Sequence, residues 1–248
     1  MEAPKKIYFV SDTHFGLPPN SKVRENEFVA WLDSIKGDAE KLFLLGDIFD
    51  FWFSYKYVVP KGFVRVLGKL AELADQGVEI HYFTGNHDMW IFDYFAEEMN
   101  FKMYTQPAEF QLGTKTFLVG HGDGLTKQNR SYLWLKRIFA SRFCQKLFAM
   151  LHPWIGFTVA CGWSQKSRAK HFKKAEPYLG NDKEEIPLYC QQKLQQRHYD
   201  YCVFGHRHLL INEALTETSR YINLGEWITM RPYGVFDGEN FELKRVEG

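Results

Sequence analysis

Histidine, aspartate and asparagine residues recur in five short blocks of this 248-residue chain, each after a short apolar run. The blocks are D-x-H at Asp12 and His14, G-D-x-x-D at Gly46 to Asp50, G-N-H-D at Gly85 to Asp88, G-H at Gly120 and His121, and G-H-R-H at Gly205 to His208. Imidazole nitrogens and hard oxygens without thiolates suit Mn²⁺ or Fe²⁺ and tolerate Zn²⁺. Two such cations, about 3.5 to 4 Å apart, can clamp a phosphoryl group and activate a water. The blocks therefore favour a site for divalent metal ions.

Each block alone has an ordinary structural explanation. An Asp after a strand is often a helix N-cap, and a Gly-Asn pair is often a turn. A lone His is more often a core or surface residue than a ligand. The five blocks in this order, each at a predicted strand end, are what favours one shared site.

Short apolar runs alternate with amphipathic segments in the first half of the chain, which predicts a mainly parallel α/β sheet. The predicted strands cover 7–11, 42–45 and 78–84, the predicted helices 25–35 and 63–73, and a predicted hairpin 108–112 and 116–119. In open α/β sheets, ligands bind in the crevice at the carboxyl ends of the strands. We therefore expect the five blocks to converge.

The second half predicts further strands at 202–204, 210–215, 221–224, 230–236 and 241–246. These strands are expected to form a second sheet that is antiparallel at its edge. Two sheets face to face, with helices outside them, predict a four-layer α/β/β/α sandwich. Residues 1–124 and 199–248 would form this core, and 125–198 would be a helical lid inserted into it.

The composition, 45% hydrophobic and 25% charged, is that of a globular protein and excludes a disordered chain. Lys and Arg number 31 against 30 Asp and Glu, which argues against a generic nucleic-acid binder. Four cysteines without C-x-x-C spacing favour a reduced, cytosolic setting. The apolar run at 7–10 is too short for a signal peptide or a membrane span.

The charge is unevenly distributed, because residues 124–175 contain eleven Lys and Arg and no Asp or Glu. Large apolar residues interleave with these basic residues, as expected for helices at an anionic membrane surface. The alternative is the packing face of a helical subdomain whose lysines are simply solvated. Ser167, His171 and Lys174 share one helical face by spacing and could bind a phosphate-linked head group.

The five blocks together resemble the signature of the calcineurin-like metallophosphoesterases. The resemblance implies that Asp12, His14, Asp47 and His208 hold a first metal ion. Asp47 would bridge to a second ion, which Asn86, His121 and His206 would hold. Mn²⁺ is the favoured metal. Asp50 and Asp88 are predicted to orient imidazoles or to cap loops.

A basic, apolar insertion between the G-H and G-H-x-H blocks resembles, more narrowly, the UDP-2,3-diacylglucosamine pyrophosphatases of lipid A synthesis. The similarity spans essentially the whole chain and includes G-D-I-F-D-F-W at 46–52, H-G-D at 121–123 and N-L-G-E-W at 223–227. Many members of that family have Arg where this chain has His87. The residues predicted from the resemblance to bind substrate are Asn86, His87, Asn129, Ser167, His171, Lys174 and His206.

The resemblance implies hydrolysis of the pyrophosphate in UDP-2,3-diacylglucosamine to UMP and 2,3-diacylglucosamine 1-phosphate. Asp47 and His87 would be catalytic, with His87 stabilising charge on the phosphoryl oxygens. The enzyme would be cytosolic and peripheral on the inner membrane of a Gram-negative bacterium, with no nucleic-acid partner; the sequence favours no particular oligomeric state.

Two other functions stay open at this point. One is a phosphoesterase of the same superfamily acting on a soluble nucleotide, a phosphodiester or DNA. The interleaving of basic with large apolar residues weighs against DNA. The other is a binding module that kept the fold but lost catalysis. The presence of every expected metal ligand argues against it.

Overall fold

The computed structural model describes residues 5–126, 130–171 and 177–246, and the backbone alone for 165–171. The strands in these ranges are β1 (Lys6–Val10), β2 (Ala39–Leu45), β3 (Glu79–Phe83), β4 (Lys102–Tyr104), β5 (Ala108–Leu112), β6 (Lys115–Val119), β7 (Tyr201–Phe204), β8 (Leu210–Ala214), β9 (Arg220–Leu224), β10 (Pro232–Phe236) and β11 (Phe241–Arg245). The helices are α1 (Ser21–Ile35), α2 (Val64–Asp75), α3 (Tyr94–Met99), α4 (Arg130–Ala140), α5 (Arg142–Ala149), α6 (Pro153–His171) and α7 (Glu185–Leu194).

The strands form two sheets that both mix parallel and antiparallel pairs. The six-stranded sheet has the order β11-β10-β1-β2-β3-β4, in which β1 to β4 run parallel and β10 is antiparallel to β1. The five-stranded sheet has the order β5-β6-β7-β9-β8, in which β6, β7 and β9 run parallel. The parallel strands place the carboxyl ends of β1, β2 and β3 at one edge, as predicted.

Period-two alternation along the strands builds three apolar layers. On β1, Ile7 and Phe9 face the layer between the two sheets, whereas Tyr8 and Val10 face α1 and α2. The outer face of the second sheet packs against α7 through Cys202 on the sheet. The predicted four-layer α/β/β/α sandwich is therefore confirmed.

The prediction for the last two strands is wrong. Residues 230–236 and 241–246 were expected in the second sheet, but β10 and β11 belong to the first, where Ile7 lies opposite Phe236. An alternating apolar pattern shows that a strand has a buried face but not which sheet it joins. Backbone pairing with β1 decides this, and the local sequence does not encode it.

The helices between the two halves differ in how they pack. None of the residues of α4 and α5 is buried, whereas α7 buries Ile186 and Cys190 against the second sheet. The extent of the insertion, 125–198, stays a prediction, and α7 lies in the outer layer of the sandwich. No helix in the described ranges has the length and apolar character needed to cross a membrane.

Candidate metal centre

The residues predicted as metal ligands lie where parallel strands end. Asp12 lies two residues after the end of β1, and Asp47 lies two residues after the end of β2. Asn86 lies three residues after the end of β3. His121 and His206 follow β6 and β7 of the second sheet in the same way. Because both sets of strands point their carboxyl ends to one edge of the sandwich, the five side chains meet there.

Three overlapping groups of ligand-type atoms result. In each group, the donor atoms lie within 4.8 Å of one another, and Asp47 belongs to two of them. The first group is Asp12, His14, Asp47 and His208, the second is Asp47, His121 and His206, and a third, at the edge of the site, is His14, Asp50 and His87. Asn86 joins the second, because its Oδ1 lies 3.3 Å from Nε2 of His121. The geometry brings together all seven residues predicted as ligands; their roles stay a prediction.

The backbone is strained at five of these positions. Positive φ angles between 45° and 69° occur at Asp12, His14, Asp47, His206 and His208. Left-handed backbone in a residue other than glycine costs on the order of 1 kcal/mol or more, and such strain concentrates at functional sites. The surrounding structure therefore holds these side chains in position at some expense of stability.

A backbone contact fixes the proton on Nδ1 of His121. Its Nδ1 lies 2.7 Å from the carbonyl oxygen of Leu45, which can only accept, so Nδ1 carries the proton. The second ring nitrogen, Nε2, faces Oδ2 of Asp47 at 3.5 Å, so it is the nitrogen that is available to a metal ion once its proton is removed. A ring that donates its second nitrogen to a carbonyl is the usual arrangement of a metal-binding histidine.

The first group also fits a cation. The Nε2 atoms of His14 and His208 face each other at 3.2 Å, so two nitrogen donors converge on one point. Asp12 Oδ2 accepts from the Ser11 hydroxyl and the His206 N–H, whereas its buried Oδ1 has no hydrogen-bond partner in the described structure. This oxygen lies 3.1 Å from His208 Nε2. A divalent ion would satisfy this donor set.

The charges of the site compensate one another strongly. Burial disfavours ionised carboxylates here, but the facing imidazoles outweigh it and hold the pKa values of Asp12 and Asp47 well below their usual range. Burial likewise opposes charge on His121, yet Asp47 raises its pKa to about 10. Burial and charged His121 lower the pKa of His206 to about 4. Binding a cation must therefore displace the proton from His121 near neutral pH.

Asp88 ties the loop after β3 to the loop after β2. Its carboxylate accepts from the backbone N–H of Gly85 at 2.7 Å and of Ile48 at 2.9 Å, and from the Tyr82 hydroxyl at 2.6 Å. Burial and the nearby charge of Asp47 raise the pKa of Asp88 to about 6. Asp88 thus supports the loops, in keeping with its predicted role, and belongs to none of the three groups of ligand-type atoms.

Two glycines are required by the closeness of these loops. A Cβ atom at Gly85 would collide with the Asp47 side chain and backbone nitrogen, and one at Gly205 would collide with Ser11 and Asp12. Any larger residue would displace a predicted metal ligand. Glycine is therefore needed in the G-N-H-D and G-H-R-H blocks because there is no room for a Cβ atom at these two positions.

His87 and Asp50 form the boundary between the metal centre and the insertion. The His87 backbone N–H donates to Asp47 Oδ1 at 2.8 Å, and its ring Nδ1 lies 3.0 Å from the Asp50 carbonyl oxygen. The Asp50 carboxylate lies 3.7 Å from Nδ1 of His14. Asp50 therefore contacts two imidazoles, in keeping with its predicted role in orienting them.

A cavity of about 400 Å³ opens beside this boundary. Its polar end contains Asp50, Asn86, His87 and Ser164. The remaining wall is mainly apolar and comes largely from α4, α5 and α6: Phe51, Met89, Trp90, Tyr132, Leu135, Lys136, Phe139, Phe148, Leu151, Val159, Ala160 and Trp163. The helices α4 to α6 therefore enclose an apolar chamber beside the metal centre.

The structure adds contacts that the sequence analysis did not predict. Asp123, which is buried, accepts from the Tyr132 hydroxyl at 2.6 Å and pairs with Lys136 Nζ at 2.7 Å. These bonds join α4 to the loop that carries His121. The H-G-D block contains Asp123, but its partners on α4 give no recognisable sequence signal.

The four residues of the insertion that were predicted to bind substrate fall wholly or partly outside the described residues. Asn129 and Lys174 lie outside the described residues, and the side chains of Ser167 and His171 are likewise outside them. Asn86, His87 and His206 are described and lie at the metal centre.

Comparisons with known proteins cover nearly the whole chain. A family model described as calcineurin-like phosphoesterase matches residues 5–210. A Porphyromonas gingivalis protein named UDP-2,3-diacylglucosamine hydrolase is 37% identical over 98% of both chains. A Haemophilus influenzae protein of the same name is 26% identical over 90% of this chain and 91% of its own. Among solved structures, a phosphoesterase from E. coli has 16% identity and a TM-score of 0.47, over 97% of this chain and 93% of that chain. The family match includes all five blocks.

Proposed function

This chain belongs to the calcineurin-like phosphoesterase family, and we propose that it hydrolyses the pyrophosphate of UDP-2,3-diacylglucosamine in lipid A biosynthesis. The products would be UMP and 2,3-diacylglucosamine 1-phosphate. The proposal takes its substrate from relatives that align over most of both chains.

The observation that carries the proposal is the cavity between the metal centre and the insertion. Its polar end holds Asn86 and His87, and most of its remaining wall is aromatic or aliphatic. A substrate with phosphates at one end and acyl chains at the other matches that division. A soluble nucleotide would leave the apolar wall exposed to water, which is unfavourable by about 25 cal/mol per Å².

Two divalent cations would supply the site with charge neutralisation of the phosphoryl group and an activated water. Asp12, His14, Asp47 and His208 would hold one ion, and Asp47, Asn86, His121 and His206 the other. Oxygen and imidazole donors without thiolates favour Mn²⁺.

The chain's own polar groups would position the pyrophosphate. Asn86 and His87 line the cavity side by side, and the bond from the His87 backbone to Asp47 sets their distance from the metal centre. The His87 side chain would stabilise negative charge on the phosphoryl oxygens in the transition state. Packing of α4 to α6 over the cavity would exclude water from the other side.

The outer surface of the insertion fits attachment to the cytoplasmic face of the inner membrane. Large apolar side chains are exposed on α4, α5 and α6, among them Trp134, Phe143 and Trp154, which are 67%, 69% and 71% exposed. The surrounding stretch, 124–175, carries only basic charges. Exposed aromatic groups and lysines together are the usual features of a peripheral membrane surface.

The experiment is to incubate the purified protein and Mn²⁺ with UDP-2,3-diacylglucosamine in detergent micelles, and in parallel with UDP-glucose and bis-p-nitrophenyl phosphate. We expect release of UMP from the lipid substrate at a far higher kcat/KM than turnover of the other two. Asp47→Asn serves as the inactive control. Preferential turnover of a soluble compound would instead favour a phosphoesterase of another specificity.

A further inference from the structure

A second exposed apolar surface lies outside the insertion, on the loop 55–64 between β2 and α2. Tyr57 is 85% exposed, Val58 48% and Val59 45%, and Val64 at the start of α2 is 79% exposed. Single exposed apolar residues are common, but four within eight positions form a patch, and apolar patches usually mark interaction surfaces.

The charged residues of this segment of the chain all have one sign. Residues 51–71 contain no Asp or Glu, while Lys56, Lys61 and Arg65 are all exposed. Lys56 Nζ lies 5.0 Å from the Tyr57 ring centroid. Within the described ranges, no salt bridge joins Lys56, Lys61 or Arg65 to a carboxylate. The loop therefore presents cations and apolar groups together, as the insertion does.

The loop begins against the insertion. The Tyr55 hydroxyl packs directly on Gly156 of α6. A Cβ atom added to Gly156 would lie only 2.7 Å from the hydroxyl oxygen of Tyr55. Just before it, the ring of Phe53 packs against Phe148 of α5 with centroids 4.9 Å apart. The two acid-free segments of the chain, 51–71 and 124–175, are thus in direct contact.

The other end of the loop is held by α1. Lys22 Nζ donates to the carbonyl oxygen of Gly62, and the neighbouring Val23 is 50% exposed. The loop is fixed at both ends and exposes its middle. Such a loop loses little conformational entropy when its apolar side chains bind a partner, because its backbone is already ordered.

We propose that the loop 55–64 is a second membrane contact, which inserts Tyr57, Val58 and Val59 into an anionic bilayer while Lys56 and Lys61 bind its phosphate groups. The inference rests on the proposed function, because a lipid substrate is what would bring this surface to a bilayer. Among possible occupants, an anionic lipid surface matches both the positive charge of the loop and its exposed apolar side chains. A loop and an insertion held at fixed positions would also set one orientation of the cavity toward the membrane.

The test is co-sedimentation of the full chain with vesicles of phosphatidylethanolamine and phosphatidylglycerol, and with neutral phosphatidylcholine vesicles. Two double variants separate the contributions: Lys56→Gln with Lys61→Gln, and Tyr57→Ser with Val59→Ser. The matched control is Leu179→Ser with Lys183→Gln, which changes an exposed apolar residue and an exposed lysine before α7. Hydrolysis in detergent micelles is measured for every variant.

We expect the lysine pair to weaken binding to anionic vesicles about thirtyfold, since each basic residue near such a surface contributes about a fivefold gain in binding. The apolar pair should weaken binding at least as much, and the control should bind as the unmodified chain does. Hydrolysis in micelles should be unchanged throughout.

Unchanged vesicle binding of both loop variants would overturn the proposal, as would absence of binding by the unmodified chain. Loop variants that change self-association without vesicles would assign the patch to an interface between copies and also overturn it. Failure of the proposed function has a separate signature, because the unmodified chain would then bind vesicles but release no UMP from the lipid in micelles.

Discussion

The hydroxyl of Ser164 lies 3.2 and 3.1 Å from the two carboxylate oxygens of Asp50. Its oxygen is also 3.4 Å from Nδ1 of His87, so one buried side chain of α6 contacts both residues at the polar end of the cavity. Since a hydroxyl can donate one bond and accept another, Ser164 can donate to Asp50 while it faces the His87 N–H. The position of the insertion is thereby coupled to the orientation of His87.

Ser164→Ala should lower kcat/KM for the lipid substrate about tenfold, a loss of about 1.4 kcal/mol, which is close to the lower end of the range for a hydrogen bond to a charged group. Turnover of bis-p-nitrophenyl phosphate should change little, because that compound does not need the chamber. Ser164→Thr, which keeps the hydroxyl, should recover most of the loss. Steady-state kinetics on both substrates measure this.

The matched control is Thr158→Ala on the same helix, where the hydroxyl donates only to the Trp154 carbonyl at 2.7 Å and is exposed. It should behave as the unmodified enzyme. Equal losses on both substrates for Ser164→Ala would show a general effect on folding and contradict the positioning role.

The metal centre and the residues around it differ in how far the sequence predicts them. Asp12, Asp47 and His121 follow apolar strands, and parallel pairing makes every such strand end meet at one edge. Ser164 has no comparable signal, because a serine on a helix has the same local pattern whether it is buried against Asp50 or solvated. The sheet to which β10 belongs could not be predicted from the sequence either, because it depends on pairing with β1, a strand more than 200 residues away.

Asp47→Asn should reduce the bound metal to fewer than two ions per chain and abolish hydrolysis of the lipid substrate. Asp47 is the residue that joins the first group of ligand-type atoms to the second, so removing its charge weakens both predicted ion sites. Asp33→Asn, an exposed carboxylate paired with Lys36, is the control and should keep its metal. Elemental analysis of the purified variants decides the matter, and two ions retained by Asp47→Asn would reject a bridging role.

The pH dependence of folding should contain a contribution from His81, which is 3% exposed and stacks on Phe43 with ring centroids 4.3 Å apart. Burial lowers the pKa of His81 from 6.5 to about 4, although Glu79 opposes the shift. The unfolded chain therefore binds a proton that the folded chain does not, between those two values. Stability from this group is complete above pH 6.5 and is lost as the pH falls.

His81→Phe keeps the stacked ring and removes the titration. Its free energy of unfolding should fall less steeply than that of the unmodified protein between pH 6.5 and about 4, by up to about 1.4 kcal/mol per pH unit. Urea denaturation after treatment with a chelator measures this without metal linkage. The control is His198→Gln, which removes an exposed imidazole and should leave the slope unchanged. If the free energy of unfolding of His81→Phe fell with pH as steeply as that of the unmodified protein, the assignment of this pH dependence to His81 would be wrong.

His87 offers the sharpest test of the reaction itself, because the nature of the leaving group determines what the imidazole must do. A phosphate leaving group has a second pKa of about 6 and departs without a proton near neutral pH. Positive charge at position 87 should then matter more than proton donation, and His87→Arg should keep most activity on the lipid substrate. His87→Ala should lose about 1 to 3 kcal/mol of transition-state stabilisation, the scale of a bond to a charged group.

The measurement is kcat/KM of both His87 variants across about pH 6 to 9, with an alkyl phosphodiester as the substrate with a poor leaving group. The backbone bond from His87 to Asp47 at 2.8 Å does not involve the side chain, so neither variant should lose metal. On the alkyl diester, where the departing oxygen needs a proton, His87→Arg should lose the further factor of about 10² to 10⁴ that general-acid catalysis provides. If His87→Arg is instead as inactive as His87→Ala on the lipid substrate, proton donation is required there too. The leaving group would then be an alcohol, and hydrolysis of a phosphodiester would replace pyrophosphate cleavage as the better assignment.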